Sequence, residues 1–202
     1  MKLLYEDIAW AAEGDQLIEN KDYEDEECGG IETEKLVFDH VRFIRCRFGQ
    51  SNFEKGEFHD TLFEDCDLSG GIFRNGYFKN CRFRNCRMYG SVFESASLKD
   101  TRIENCNCAY GNFAKTLWEC TEVTDSNMKQ SSLAESVFRK PVFHRTDLSG
   151  TDFFRTKLKG IDLSDCTIHD ILVSDTFSEL AGLKVDLYQA AELAKLLRIQ
   201  IK

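Results

Sequence analysis

Starting at Phe38, every fifth residue is apolar or cysteine as far as Val173. The run covers 28 positions without an insertion, and 14 of the 16 phenylalanines fall in it; Phe154 and Phe177 stand outside. Two residues before each position the side chain is small in 23 of 28 cases, the exceptions being Leu36, Val41, Pro141, Ile161 and Ile171. A period of five matches neither the 3.6 of an α-helix nor the 2 of a strand. It fits a chain that turns a corner every five residues and sends one large and one small side chain inward along each side.

The outward residues indicate how many sides close a coil. Positions four pentapeptides apart alternate in sign: Glu54, Arg74 and Glu94; Glu64, Arg84 and Glu104; Arg47, Asp67 and Arg87. Strands stacked about 4.8 Å apart favour opposite charges in a column. A four-sided coil, one pentapeptide to a side, accounts for all three columns. Residues 36–175 then make about seven coils, roughly 34 Å long. Repeat arrays need closed ends. Residues 1–35 keep the register weakly at Ile18, Tyr23 and Cys28 and read as an acidic cap with a degenerate first coil; 176–202 read as a C-terminal cap.

Composition agrees with an unlooped array. The 202 residues include one proline, and 42% hydrophobic with 30% charged residues excludes a membrane-embedded or disordered chain. The formal charge of −9 is local: residues 1–35 hold 12 acidic and 3 basic groups, residues 36–175 hold 20 and 19, and residues 176–202 hold 3 and 4. An acidic chain of this kind is not expected to bind nucleic acid directly. Glu6 and Asp7 interrupt the apolar start, no run is long enough to span a membrane, and nine cysteines read as reduced thiols, so a cytoplasmic protein is expected.

In the tail, Asp186 suits a helix N-cap. Leu187, Ala190, Ala191, Ala194 and Leu197 share one helical face, Leu183 precedes them, Leu193 and Leu196 lie to the side, and Ile199 and Ile201 alternate as in a short strand. A cap needs one apolar face. Two faces predict a homodimer, with Tyr188 added to its contact surface.

Short copies such as Asp67-Leu68-Ser69-Gly70 and Asp147-Leu148-Ser149-Gly150 resemble the pentapeptide-repeat family. The resemblance runs through the whole periodic segment 36–175 and implies an all-β, right-handed quadrilateral β-helix. The segment 180–201 resembles the C-terminal tail of the Qnr quinolone-resistance proteins, through Gly182, Lys184, Asp186, Tyr188, Gln189, Ala190, Leu193, Leu197 and Ile199. That resemblance implies a helix and terminal strand joining two solenoids end to end. It further implies a dimer that protects DNA gyrase and topoisomerase IV from quinolones, with an acidic surface imitating DNA. This chain departs from the pattern in two ways. It has no loops projecting from the coils, and residues 69–93 carry Arg74, Lys79, Arg82, Arg84 and Arg87 with no acid.

Candidate partner-binding residues follow. Asp162, Asp165, Asp170 and Asp175 give the last coil an acidic cluster near the centre of an end-to-end dimer. Ile72 with Val92, and Leu117 with Val137 near Tyr77, are outward apolar pairs. Cys46, Cys66, Cys86, Cys106 and Cys166 fall in one inward column and read as small core residues; Cys120 sits outward or at a corner. His40, His59, His144 and His169 are scattered on outward positions, with His40 and His59 on adjacent coils. No catalytic set, metal site or cofactor is expected. The expected function is non-enzymatic: binding that modulates or protects a type II topoisomerase, or, alternatively, a scaffold for an unrelated protein partner.

Overall fold

The computed structural model describes residues 4–14 and 16–200. The period of five becomes a chain of corners. From Asn20 to Gly160 every fifth residue, 29 in succession, is left-handed, with φ between 43° and 83°. Fifteen of the 29 are Gly, Asn or Asp, the types that tolerate this region best. Bulkier residues are held there by the next turn. The corner N–H donates to a carbonyl of that turn, as in Arg45 to Glu64 (2.8 Å), Lys115 to Ala134 (2.7 Å) and Cys120 to Arg139 (2.9 Å).

Each coil takes four pentapeptides, and successive coils pair in parallel. Strand β1 (Leu17–Glu24) pairs with Val37–Ile44, matching Ile18 to Phe38 and Tyr23 to Phe43. The same offset carries Phe38 to Phe58 and Phe58 to Phe78. Strands line two adjacent faces through six turns, residues 37–144. The other two faces are held mostly by isolated bridges, from Glu27↔Arg47 to Asp152↔Leu172. The expected seventh coil is thus present as bridges without strands, because its ladder ends against the C-terminal cap.

Inside, the large side chains stack in columns. Phe58 and Phe78 lie 4.7 Å apart at 4°, Phe63 and Phe83 4.8 Å at 4°, and Phe93 and Phe113 5.1 Å at 12°. These rings are 0–1% exposed, and burying each contributes about 1.5–3 kcal/mol. The small column has a second task. Its hydroxyls and thiols donate to a carbonyl of the preceding turn: Thr116 to Phe93 (3.1 Å), Thr121 to Leu98 (2.9 Å), Cys66 to Phe43 (3.3 Å). Cys, Ser and Thr recur there because they combine small volume with a donor.

Both ends are closed. Helix α1 (Leu4–Glu13) buries Leu4, Ile8 and Ala11, and its buried Asp7 accepts the Tyr23 hydroxyl at 2.7 Å. At the other end three side chains replace the missing turn. The Glu179 carboxylate accepts the corner N–H of Arg155 (2.8 Å) and the N–H (3.3 Å) and hydroxyl (2.8 Å) of Ser174. Asp165 accepts the corner N–H of Arg145 at 3.3 Å. Gln189 donates to the Leu163 (2.8 Å) and Cys166 (2.6 Å) carbonyls. Gln189 belongs to helix α2 (Leu187–Leu196), which Asp186 caps as its sequence position suggests: Gln189 N–H donates to Asp186 (2.7 Å) and Asp186 N–H donates to Gln189 (2.8 Å).

The terminal strand expected around Ile199 is not formed in residues 197–200. Arg198 turns left-handed and the Ile199 N–H donates to Ala194 at 3.1 Å, so the amide a strand would use closes the helix instead. Ile201 lies outside the described residues.

Candidate partner-binding surface

The square cross-section presents rows of outward residues one coil apart, and these rows carry the electrostatics. Arg74 reaches Glu94 at 3.3 Å, Arg84 pairs with Glu64, and Arg82 lies 3.8 Å from Glu104. Arg87 stands beside Asp67 across a bridge. Part of the basic belt is therefore answered by carboxylates of adjacent turns, Arg84 lying between Glu64 and Glu104, whereas Lys79 lies between His59 and Lys99 and Arg82 stacks on Arg102. The acidic first turn is matched likewise: Arg42 with Asp22 (3.4 Å), Arg45 with Asp25 (2.7 Å) and Glu24, Arg47 with Glu27 (2.5 Å), Lys55 with Glu34 (2.5 Å). Hydrogen bonds from Arg45 and Lys55 hold the Asp25 and Glu34 carboxyls below the usual range.

The four acidic residues of the last coil are not gathered into one strip. Asp165, Asp170 and Asp175 stand at successive corner positions and Asp162 on a face, so they ring the coil. Two are engaged locally. Asp162 accepts the Ser164 hydroxyl (2.6 Å) and N–H (3.1 Å), which hold its carboxyl low, and Asp165 pairs with His144 besides accepting Arg145 N–H. Asp170 and Asp175 are exposed.

Among the apolar candidates, Ile72 and Val92 are bridged neighbours and half-buried. Leu117 pairs with Val137, which is 52% exposed; Tyr77 lies in the same row, separated from Leu117 by Ser97, with its ring 5.5 Å from His59. Helix α2 carries the larger exposed surface. Leu187 and Tyr188 are 82% and 83% exposed, and Leu197 and Ile199 about half. Ala190 is exposed as well, whereas Leu183, Ala191, Leu193, Ala194 and Leu196 are half-buried. Gln189, the buried residue of this helix, is polar, so α2 is anchored by its hydrogen bonds together with Leu193, which packs half-buried against the core, while Leu187, Tyr188 and Ala190 stay uncovered.

The column thiols are buried; those of Cys46, Cys66, Cys86 and Cys106 donate to backbone carbonyls, and that of Cys166 to the Asp165 carboxylate at 3.5 Å. Burial pushes the Cys81 and Cys166 thiols up to about 12, which suits inert core residues. Cys120 is exposed, in an open groove of about 550 Å³ along one corner with Asp60, Asn80, Arg82, Asp100 and Arg102. Sequence reasoning missed Glu179 and Asp7, buried acids with no periodic signal, and the exposed Tyr89–Tyr110 ring pair at 5.2 Å.

Profiles of the pentapeptide repeat region match residues 36–113 and 56–133, and the eight-copy pentapeptide repeat matches 122–153 and 131–170. The chain belongs to the pentapeptide-repeat family. Among solved structures, this pentapeptide-repeat protein is similar to trypsin-treated QnrB1, a plasmid-mediated fluoroquinolone resistance protein. The TM-score is 0.55 at 25% identity, covering 92% of this chain and 97% of that one. A pentapeptide repeat protein of the Arabidopsis thaliana thylakoid lumen matches with TM-score 0.44 and 20% identity over 46% of this chain and 66% of that one. HetL, a pentapeptide repeat protein from the cyanobacterium Nostoc involved in heterocyst differentiation regulation, matches with TM-score 0.38 and 14% identity over 93% and 95%. No curated protein sequence matches significantly. Among the described residues no helix is long and apolar enough to cross a membrane.

Proposed function

We propose that this protein is a non-enzymatic, cytoplasmic homodimer that binds a type II topoisomerase, DNA gyrase or topoisomerase IV, and modulates or protects it, lowering quinolone susceptibility. The observation that carries the reading is the exposed apolar side of α2, with Leu187 and Tyr188 82% and 83% exposed, at the end of a solenoid that resembles QnrB1 over nearly its whole length. Burying that surface against a second copy is the simplest way to remove it from water. The two last coils, with Asp162, Asp165, Asp170 and Asp175, then flank the dimer centre. The test is gyrase supercoiling in the presence of ciprofloxacin across a wide range of protein. Restored or inhibited supercoiling supports the reading, and no effect at any concentration sinks it.

A scaffold for an unrelated protein partner is the second reading. It is favoured by the column-wise neutralisation of the coils and by acidic residues that ring the last coil instead of lining one face. In that case Ile72, Val92, Tyr77, Leu117 and Val137 are the contact residues, and affinity capture returns a stoichiometric partner without a topoisomerase.

A further inference from the structure

At one corner of two successive turns, carboxylates and histidines converge. Many stacked turns set arginine or lysine against carboxylate, as Arg45 against Asp25 and Arg145 against Asp125. At the corners after Phe38 and Phe58, Asp39, His40 and Asp60 bring two carboxylate oxygens and an imidazole nitrogen within 4.8 Å of one another. Among the described residues neither carboxylate is ion-paired with a lysine or arginine. Asp39 meets His40 Nδ1 at 2.7 Å, and Asp60 accepts from the Asn80 amide. His59 is the register partner of Asp39, and its Nε2 lies 3.1 Å from Glu57. Two of the four histidines and three carboxylates thus share one corner of two successive turns. Two carboxylates this close without a cation repel each other.

We propose that Asp39, His40 and Asp60 bind a divalent transition-metal cation of the zinc class, clipping two turns of the solenoid together. One imidazole nitrogen with two carboxylate oxygens suits Zn²⁺ and its neighbours, whereas Ca²⁺ requires six or more oxygens. His40 ligates through the Nδ1 lone pair, with its proton on Nε2. The side chains of Asp39 and His40 are 40% and 63% exposed, so the ion enters from solvent and its remaining positions are filled by water. Cys120 follows Asp60 in the same corner column three turns on, about 14 Å at the spacing of stacked strands, and is not a ligand.

The experiment is calorimetric titration of the full chain with Zn²⁺ alone in the presence of a phosphine reductant. Wild type takes up one ion per chain. His40→Asn and Asp60→Asn each weaken binding at least about tenfold. Both place asparagine at a left-handed corner, as Asn20 and Asn80 already do, so the fold is retained and the metal-free thermal midpoint stays near wild type. Cys120→Ser leaves binding unchanged. As a second readout, Zn²⁺ raises the thermal midpoint of wild type but not of His40→Asn. The proposal is overturned by the absence of saturable uptake, by wild-type affinity in both asparagine variants, or by loss of binding in Cys120→Ser.

Discussion

Thr116 shows what the small inward position does. Its methyl fills the column and its hydroxyl donates to the Phe93 carbonyl at 3.1 Å in a fully buried site. Thr116→Val keeps the shape and removes the donor, so it should destabilise by about 1–3 kcal/mol, read as a lowered urea midpoint at unchanged slope. Phe78→Ala, which empties a ring stacked on Phe58, should cost about 3–5 kcal/mol in the same measurement. The large position is fully legible in the sequence, because phenylalanine every five residues has no other reading. The donor role is not, since small volume alone already explains Cys, Ser and Thr. The corners are written in the sequence as well, in Asn20, Asp25, Gly30 and their successors, but tolerance of a left-handed backbone becomes a signal only once the corner positions are known.

At the scale of the element, the C-terminal cap depends on polar side chains that substitute for a missing rung. Glu179 is 2% exposed. Burial alone would raise its carboxyl, but the donors at Arg155, Ser174 and its own backbone outweigh that and hold it below the usual glutamate range. The folded state therefore gains from ionised Glu179 above the ordinary carboxylate range and loses that gain as pH falls through the depressed folded value. Glu179→Gln should lower stability at neutral pH by on the order of 2 kcal/mol and flatten the acid limb of the thermal midpoint below the ordinary carboxylate range. The Asp186 cap is legible from residue type and position. Gln189 is not: on a helical wheel it belongs to the polar face, and only the orphaned carbonyls of Leu163 and Cys166 draw it inside. Ile199 misleads because alternation over two residues cannot distinguish a strand from a helix end.

For the whole molecule, the exposed side of α2 and the paired charge columns make different demands. Leu187→Glu with Tyr188→Glu should convert a dimer to a monomer in size-exclusion with light scattering while leaving the monomer's urea midpoint nearly unchanged, because neither side chain packs within the protomer. A monomeric wild-type mass at micromolar concentration would count against that interface. The four-sided coil is legible from Glu54, Arg74 and Glu94, yet the sum of charge over a segment hides that each turn is answered by the next, as Arg45 answers Asp25.

The fixed coil length also makes the solenoid an indexing device. Inserting four pentapeptides would move α2 along the axis by about 4.8 Å and leave its compass bearing unchanged. Inserting one would rotate it by a quarter turn onto another face. In a dimer joined at its tails, each added coil per chain moves the two far ends apart by about 10 Å. Evolution by whole-coil duplication can therefore change the reach of such a molecule while every docking face keeps its orientation, whereas a slip of a single pentapeptide would swing each face away from its partner.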